Sequence, residues 1–285
     1  MKKILFILYI IPTILFSQTI NKKLQKNVEA LVKDYKGDIG VYIQSLKTGK
    51  VVQINADTVF PTASIVKVPI LIGIINKINL GELTYHQEQT YNDSMLYAGV
   101  DILGSFKNGE KIELSKLIML MLSMSDNTAS LWLQKIAGTG TVINDLMEKN
   151  GFLHTRVNSK TAGRENNRTQ YGWGQTTPKE MAAVLEKMYR GDLINDSLSK
   201  KMIRLLGRNY WDEEALSEIP ATIFVASKSG AVDASRSEIL LVMAKEPYIL
   251  SVFTKNNADK SWNYTNEAWV LTRKLSKIVY DYYSK

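Results

Sequence analysis

The order of apolar and polar positions predicts strands near the start of the chain and helices after them. Residues 38–45 alternate between apolar and polar side chains as a half-buried strand does, and residues 51–54 form a second strand after a turn. From residue 64 to residue 78 the chain is almost continuously apolar, and this length without turn residues favours a buried helix. Further helices are predicted over residues 115–124, 127–136, 141–149 and 178–190.

Strand patterns return after Pro220. Three strands are predicted over residues 221–227, 237–243 and 248–254, and a closing helix over 266–282. The simplest assembly pairs both groups of strands in one antiparallel sheet, with helices from both ends of the chain packed on it. We therefore predict an α+β fold of two lobes with a cleft between them. The α/β lobe comprises about 19–60 and 207–285, and an all-α lobe of about 61–206 is inserted between these segments.

The first eighteen residues have the pattern of a secretory signal peptide. Lys2 and Lys3 precede an apolar run over residues 4–16, which ends at Ser17-Gln18. The run is shorter than the ~20 residues that span a bilayer, and Pro12 interrupts it, so we expect no stable membrane span. We expect cleavage near Ser17-Gln18, which leaves a catalytic domain over 19–285 exported to the periplasm or the medium.

Composition narrows the kinds of partner and cofactor. The chain of 285 residues has a formal net charge of +8 without a dense basic run, which suits an anionic ligand better than nucleic acid. It contains two histidines and no cysteine, so a zinc site is not expected, and disulfides are impossible. We expect no metal or organic cofactor, a small-molecule substrate and a monomer.

Three short motifs follow one another in the chain and together provide the groups for nucleophilic catalysis. A serine hydroxyl becomes a good nucleophile when a neighbouring base takes its proton, and residues three apart on a helix share a face. A lysine can be that base when burial and nearby cations lower its pKa. The motifs are Ser64-Ile65-Val66-Lys67, Ser125-Asp126-Asn127 and Lys228-Ser229-Gly230.

Each motif supplies a separate part of the expected site. Ser64 is the candidate nucleophile and Lys67 its base, while Ser125 is placed to relay the proton to the leaving group. Asn127 offers an amide to Lys67 and to the substrate. On a predicted strand, Lys228 and Ser229 would bind a carboxylate, and Gly230 would let the substrate approach the backbone.

Two further matches to single motifs are assigned to ordinary structure. Ser197 and Lys200 repeat the S-x-x-K spacing, but Ser197 is expected to cap a short amphipathic helix. Residues 47–49 read Lys-Thr-Gly, but they lie in the turn between the first two predicted strands, where glycine serves the hairpin.

The ordered set resembles the signature of class A β-lactamases and penicillin-binding serine hydrolases. Phe60-Pro61 before the serine and Thr128-Ala129 after Asn127 agree with this resemblance. It implies a two-lobed β-lactamase/transpeptidase-like fold, in which helices flank an antiparallel five-stranded sheet beside an all-α lobe. It also implies a β-lactam substrate, acylation of the serine, hydrolysis of the acyl-enzyme and resistance to β-lactams.

The resemblance assigns roles to two more residues, Ala231 and Arg236, and Tyr97 is a further candidate because it is aromatic. The backbone N–H groups of Ser64 and Ala231 would form an oxyanion hole. Arg236 lies in a segment similar to the one whose arginine supports the substrate carboxylate, although a surface position is the alternative. Tyr97 is a candidate wall of the cleft, with core packing as its alternative.

The loop between the second and third motifs departs from the family pattern. Class A enzymes activate the deacylating water with a glutamate in a Glu-x-x-x-Asn context, and this chain lacks that context. Glu165 is the only carboxylate between residues 149 and 176, which makes it the candidate base. An exposed glutamate paired with Arg164 or Arg168 is the alternative.

The departure leaves several functions open. A serine β-lactamase is the leading hypothesis. A DD-peptidase acting on D-alanyl peptides would use the same serines and lysines without a loop glutamate. A non-hydrolytic penicillin-binding or sensor module is a third possibility, and a glutaminase on the same fold is a remote one.

Overall fold

The computed structural model describes residues 19–99 and 102–285, so the predicted signal segment 1–18 lies outside the described residues. The helices in the described part are α1 (Lys22–Val32), α2 (Lys67–Asn79), α3 (Leu114–Ser123), α4 (Asn127–Ile136), α5 (Thr139–Lys149), α6 (Glu165–Tyr171), α7 (Pro178–Arg190), α8 (Asp196–Leu206) and α9 (Glu267–Tyr283). The strands are β1 (Asp38–Ser45), β2 (Val51–Ile54), β3 (Phe60–Pro61), β4 (Glu88–Thr90), β5 (Lys111–Glu113), β6 (Arg156–Val157), β7 (Gly174–Thr176), β8 (Val225–Val232), β9 (Ser235–Val242) and β10 (Tyr248–Lys255).

A five-stranded antiparallel sheet joins the two ends of the chain. Its strand order is β2–β1–β10–β9–β8, so β1 from the N-terminal part pairs with β10 from the C-terminal part. This confirms the α+β fold with one sheet built from both groups of strands. β8, which carries the third motif, is an edge strand and therefore has one free side that can face a cleft.

Two hydrophobic clusters hold the layers together. On one face of the sheet, α1 and α9 pack against alternate residues of β1, β9 and β10. On the other face, α7 lies on β1 and β10, and the same cluster continues through α2, α3, α4 and α8. Nine residues of α2 are buried, which is expected of a helix that is apolar on nearly all sides. The division into lobes at residues 60 and 206 stays a prediction.

Several predicted elements lie where the pattern placed them, and others are shifted. The strands over 38–45 and 51–54 and the helices over 127–136 and 178–190 have the predicted limits. The strand predicted over 221–227 was placed too early, because residues 220–223 form a turn in which the Ile223 N–H donates to the Pro220 carbonyl at 2.9 Å. β8 instead begins at Val225. At the start of α8, Asn195 is the capping residue, since its side chain accepts from the Leu198 N–H, and Ser197 lies inside the helix.

Among the helices within residues 19–99 and 102–285, none is both long enough and apolar enough to cross a bilayer.

Candidate active site

The candidate nucleophile lies on a short helical turn at the foot of α2. Ser64 is part of the 3₁₀ turn Ala63–Val66, and α2 begins at Lys67. Residues three apart are eclipsed on a 3₁₀ turn, so the Lys67 Nζ atom lies 3.0 Å from the Ser64 Oγ atom. Ala63 has a φ of 44°, a left-handed conformation that alanine rarely adopts. The backbone is therefore strained at the residue that orients the serine.

The Lys67 side chain is fully buried and joins the first two motifs. Its Nζ atom lies 2.7 Å from the Ser125 carbonyl oxygen, 3.0 Å from the Ser125 Oγ atom and 2.9 Å from the Asn127 Oδ1 atom. With Ser64 this makes four oxygen partners around one amine. The contacts from Ser64 through Lys67 to Ser125 form a continuous path for a proton.

The second motif is a tight turn whose aspartate is structural. Ser125 has a φ of 58°, and α4 begins two residues later at Asn127. Asp126 is buried and caps this helix, accepting from the Ala129 N–H at 2.7 Å and from the Leu103 N–H at 3.1 Å. These two bonds hold the turn in position, which fixes where Ser125 and Asn127 point.

Gly230 brings β8 against the nucleophile's turn. A Cβ atom at this position would press on the Thr62 carbonyl oxygen and would lie 3.0 Å from the Ser64 nitrogen and 3.1 Å from the Ile65 nitrogen. The glycine is therefore needed for the close approach of two segments of this chain, and not only for access by a substrate. Lys228 leaves β8 on the same face, because side chains two apart on a strand point to the same side.

Burial changes the protonation of the two charged groups on this edge of the sheet. Lys228 is fully buried and donates to the Ser229 carbonyl at 3.0 Å, and burial lowers the pKa of its ammonium group to about 8. Glu238 of β9 lies directly opposite Ser229, and burial raises the pKa of its carboxyl group to about 8. Glu238 was not among the site residues predicted from the sequence, although a single carboxylate just before the apolar run Ile239–Val242 was a usable signal.

Ser64 lies where two hollows meet. We call the first the loop hollow; its volume is about 460 Å³, and its lining includes Tyr97, Gln170, Tyr171 and Trp173. We call the second the acidic hollow; its volume is about 670 Å³, and its lining includes Ser125, Ser229, Trp211, Glu213, Glu214 and Glu238. Ser64, Asn127 and Ala231 line both hollows, so they occupy the centre of the cleft.

Tyr97 lies on the cleft wall. Its ring meets the ring of Trp173 edge to face, with the centroids 5.0 Å apart. Its backbone N–H donates to the Thr128 Oγ1 atom at 3.0 Å, which ties the 97 segment to α4. The two rings form an apolar wall beside Ser64.

Glu165 does not line either hollow. It is the first residue of α6, its side chain is exposed, and its Oε1 atom accepts from the Gly163 N–H at 3.2 Å. The opposite end of α6, at Gln170 and Tyr171, lines the loop hollow. Within the described parts of the chain, the lining of the loop hollow contains no carboxylate.

Arg236 is fully buried and lines neither hollow. β9 places it opposite Ala231, on the face that packs against α9. Its guanidinium lies 4.3 Å from the ring of Trp262 and 4.7 Å from that of Trp269. It donates to the backbone carbonyls of Val232, Ser235 and Ser261. Backbone carbonyls and aromatic rings therefore hold the guanidinium in place, and a role of Arg236 in binding the substrate carboxylate stays a prediction.

Over residues 19–99 and 102–285, the histidine, aspartate and glutamate side chains do not gather in groups of three or more that could hold a metal ion.

The chain is similar to known proteins over most of its length. The model of the β-lactamase enzyme family matches residues 23–283. β-Lactamase VEB-1 of Pseudomonas aeruginosa is 24% identical over 298 residues, which cover 99% of this chain and 98% of the relative. The extended-spectrum β-lactamase PER-1 of the same organism is 23% identical over 86% of this chain and 83% of the relative.

Solved structures show the same fold at low sequence identity. The structure of PBP-A has a TM-score of 0.82 and 20% identity, covering 93% of this chain and 97% of that one. A point mutant of PBP-A, solved as an acyl-enzyme complex with penicillin G, gives the same values. The TLA-3 extended-spectrum β-lactamase has a TM-score of 0.82 and 18% identity, covering 93% and 99%. The ordered motifs, the two-lobed fold and the match of the family model agree, and the chain belongs to the β-lactamase enzyme family.

Proposed function

We propose that this chain is a serine hydrolase that opens the β-lactam amide through an acyl-enzyme on Ser64. One observation carries the proposal: a single buried amine, that of Lys67, contacts the hydroxyl groups of both Ser64 and Ser125. This is the arrangement that activates a serine and passes its proton onward. The family supports hydrolase chemistry, while the β-lactam substrate and resistance belong to the proposal.

The first chemical step follows from the distances. The neutral Lys67 amine takes the proton from the Ser64 hydroxyl group while the Ser64 Oγ atom attacks the lactam carbonyl carbon. The Ser64 and Ala231 N–H groups stabilise the oxyanion. When the C–N bond breaks, the lactam nitrogen takes a proton from the Ser125 hydroxyl, which Lys67 reprotonates. The product is an ester of Ser64, and water hydrolyses it in the second step.

The substrate carboxylate is held on the β8 side of the cleft. Ser229 lines the acidic hollow beside Ser64, and the Lys228 ammonium group lies behind it. Because burial lowers the pKa of Lys228 only to about 8, this group is mostly protonated at neutral pH and attracts an anion. The proposed site therefore accepts a carboxylate next to the scissile amide.

A second candidate is a penicillin-binding DD-peptidase with a long-lived acyl-enzyme. The observation that favours it is the loop hollow, whose described lining holds no carboxylate to activate a water. Glu165 remains the nearest candidate in sequence, but it faces solvent. The two candidates share the acylation step and differ only in the fate of the ester.

Export is part of the proposal. The pattern of residues 1–18 is that of a signal peptide, so the mature protein would act outside the cytoplasm. We also propose that it is a monomer. After expression with the native leader, an intact mass that corresponds to a chain starting near Gln18 would support export.

The test mixes the mature protein with nitrocefin and with benzylpenicillin and follows hydrolysis and intact mass together. Rapid turnover with little adduct supports the β-lactamase, and one stable adduct without turnover supports the DD-peptidase. The S64A variant is the control, and we expect neither adduct nor turnover from it. Labelling of S64A by benzylpenicillin, or no reaction of the unaltered protein with either compound, would contradict the proposal.

A further inference from the structure

The acidic hollow is lined by carboxylates and aromatic rings on the β8 side of Ser64. Four acidic residues line it: Asp126, Glu213, Glu214 and Glu238. Among the described residues of its lining there is no lysine, arginine or histidine. Asp126 is used as a helix cap, so the other three determine what the hollow can bind.

Glu238 provides the strongest indication of a ligand. Its side chain is 1% exposed, and its Oε2 atom accepts from the Ala215 N–H at 2.8 Å. Its Oε1 atom is buried and has no hydrogen-bond partner among the described residues. A buried carboxylate oxygen without a donor costs free energy, and a donor or cation placed in the hollow would remove that cost.

The cationic side chains behind the hollow are engaged elsewhere. Arg273 donates to the Glu214 Oε2 atom at 2.7 Å and to the Tyr264 carbonyl. Arg236 is bound to three carbonyls, and Lys228 donates to the Ser229 carbonyl. Glu213 is exposed at the rim. The hollow therefore presents the carboxylate of Glu213 at its rim, and the unpaired oxygen of Glu238 lies buried in its wall.

Aromatic rings complete the rim. Tyr210 and Trp211 meet edge to face with their centroids 5.3 Å apart, and both are about half exposed or more. The Trp211 Nε1–H donates to the Met124 carbonyl at 3.0 Å, which fixes the ring beside Ser125. Aromatic faces together with carboxylates are the groups that recognise organic cations in proteins.

We propose that the acidic hollow binds a positively charged organic group, an ammonium or pyridinium, carried by the acylating ligand next to its carboxylate. The inference rests on the proposed function, because Ser229, which would hold the carboxylate, lies opposite Glu238. A zwitterionic ligand would then place its anion on the Ser229 side and its cation between Glu238, Glu213 and Trp211. The site makes the enzyme selective for cationic β-lactams over neutral ones of the same shape.

The first test measures binding of a cation without acylation. Choline and 3,3-dimethylbutan-1-ol have the same shape and differ in charge, and tryptophan fluorescence reports on the hollow because Trp211, Trp262 and Trp269 line it. The pKa of Glu238 is about 8, and at a higher pH we expect choline to bind saturably and 3,3-dimethylbutan-1-ol not to bind. The E238Q and E213Q variants should weaken it by about fivefold. E218Q is the matched control, since Glu218 lies outside the hollow, and it should bind choline as the unaltered protein does.

The second test uses acylation. Cephaloridine and cephalothin share one acyl side chain and differ in a pyridinium against an acetoxy group. At about pH 8, where Lys228 is still partly protonated and Glu238 is partly ionised, we expect the ratio of their acylation rate constants to fall by about fivefold in E213Q and E238Q. An unchanged ratio in both variants, with no choline binding, would overturn the inference while leaving the proposed function intact.

The remaining outcomes separate the two proposals. Choline binding that depends on Glu213, with neither cephalosporin acylating Ser64, would support the cation site and contradict the proposed function. If E238Q does not fold, E213Q decides alone, because Glu213 is exposed and its replacement leaves the core intact.

Discussion

Gly230 allows β8 to pack closely against the turn that carries Ser64, because glycine has no Cβ atom. An alanine there would press on the Thr62 carbonyl and crowd the Ser64 nitrogen. We expect G230A to lower the free energy of unfolding by about 2 kcal/mol and the acylation rate by about 100-fold, because the shift misplaces Ser64. Denaturant unfolding and stopped-flow acylation measure the two effects. The control is G104A, whose Cβ atom would have only an ordinary contact at 3.7 Å, and equal behaviour of the two variants would contradict the prediction.

Lys228 and Glu238 make the site sensitive to alkaline pH. Burial lowers the pKa of Lys228 to about 8, so its positive charge is present below that pH and lost above it. Burial also raises the pKa of Glu238 to about 8, so its negative charge appears over the same range. Both changes weaken the binding of a substrate carboxylate, so the rate of acylation by benzylpenicillin should fall above pH 8. A profile between about pH 6 and pH 10 tests this against K228R, whose guanidinium stays charged and should reduce the fall. An identical fall in both proteins would assign it to another group.

At the scale of elements, the orientation of α6 determines which of its residues can act in the cleft. Tyr171 follows Glu165 by six positions, which is about 9 Å along the helix axis, and only the Tyr171 end lines the loop hollow. We therefore expect E165Q to leave the deacylation rate unchanged. Q170E puts a carboxylate on the cleft wall and should speed deacylation by about tenfold or more, because a positioned base activates water. The decay of the benzylpenicillin adduct, followed by intact mass, measures both rates. An adduct that persists only in E165Q would show that Glu165 is the base.

Helices and strands with a strong sequence pattern of their own were predictable. Features that depend on how the strands pair with one another were not. Alternation gave the limits of β1 and β2, and the Thr177-Pro178 pair gave the start of α7. The start of β8 was misplaced because an apolar turn and an apolar strand have the same composition there. The proximity of Ser64, Lys67 and Ser125 was predicted from a resemblance, and the distances agree with it. Where Arg236 and Glu238 lie depends on the register of β8 with β9, which single-chain patterns do not reveal.

At the scale of the whole molecule, the shape of the cleft depends on how firmly the edge strand β8 is held against the rest of the sheet. β8 and β9 form a hairpin whose tip, near Val232 and Ser235, lines the loop hollow. The Arg236 guanidinium binds both carbonyls of that tip and the Ser261 carbonyl, and it lies against the rings of Trp262, which precedes α9, and Trp269, which is in its first turn. One buried cation thus connects the active-site hairpin to the C-terminal helix.

Removing that cation tests whether Arg236 is structural or binds substrate. R236A leaves three carbonyls without their donor and a space beside the rings of Trp262 and Trp269, so we expect the free energy of unfolding to fall by about 3 kcal/mol. The control R190A removes an exposed ion pair with Glu186 and should cost about 0.5 kcal/mol or less. Because the guanidinium does not line the cleft, the KM of R236A for benzylpenicillin should stay within about twofold of the original value. A tenfold rise in KM without loss of stability would instead place Arg236 on the substrate carboxylate, and thermal unfolding combined with steady-state kinetics separates the two results.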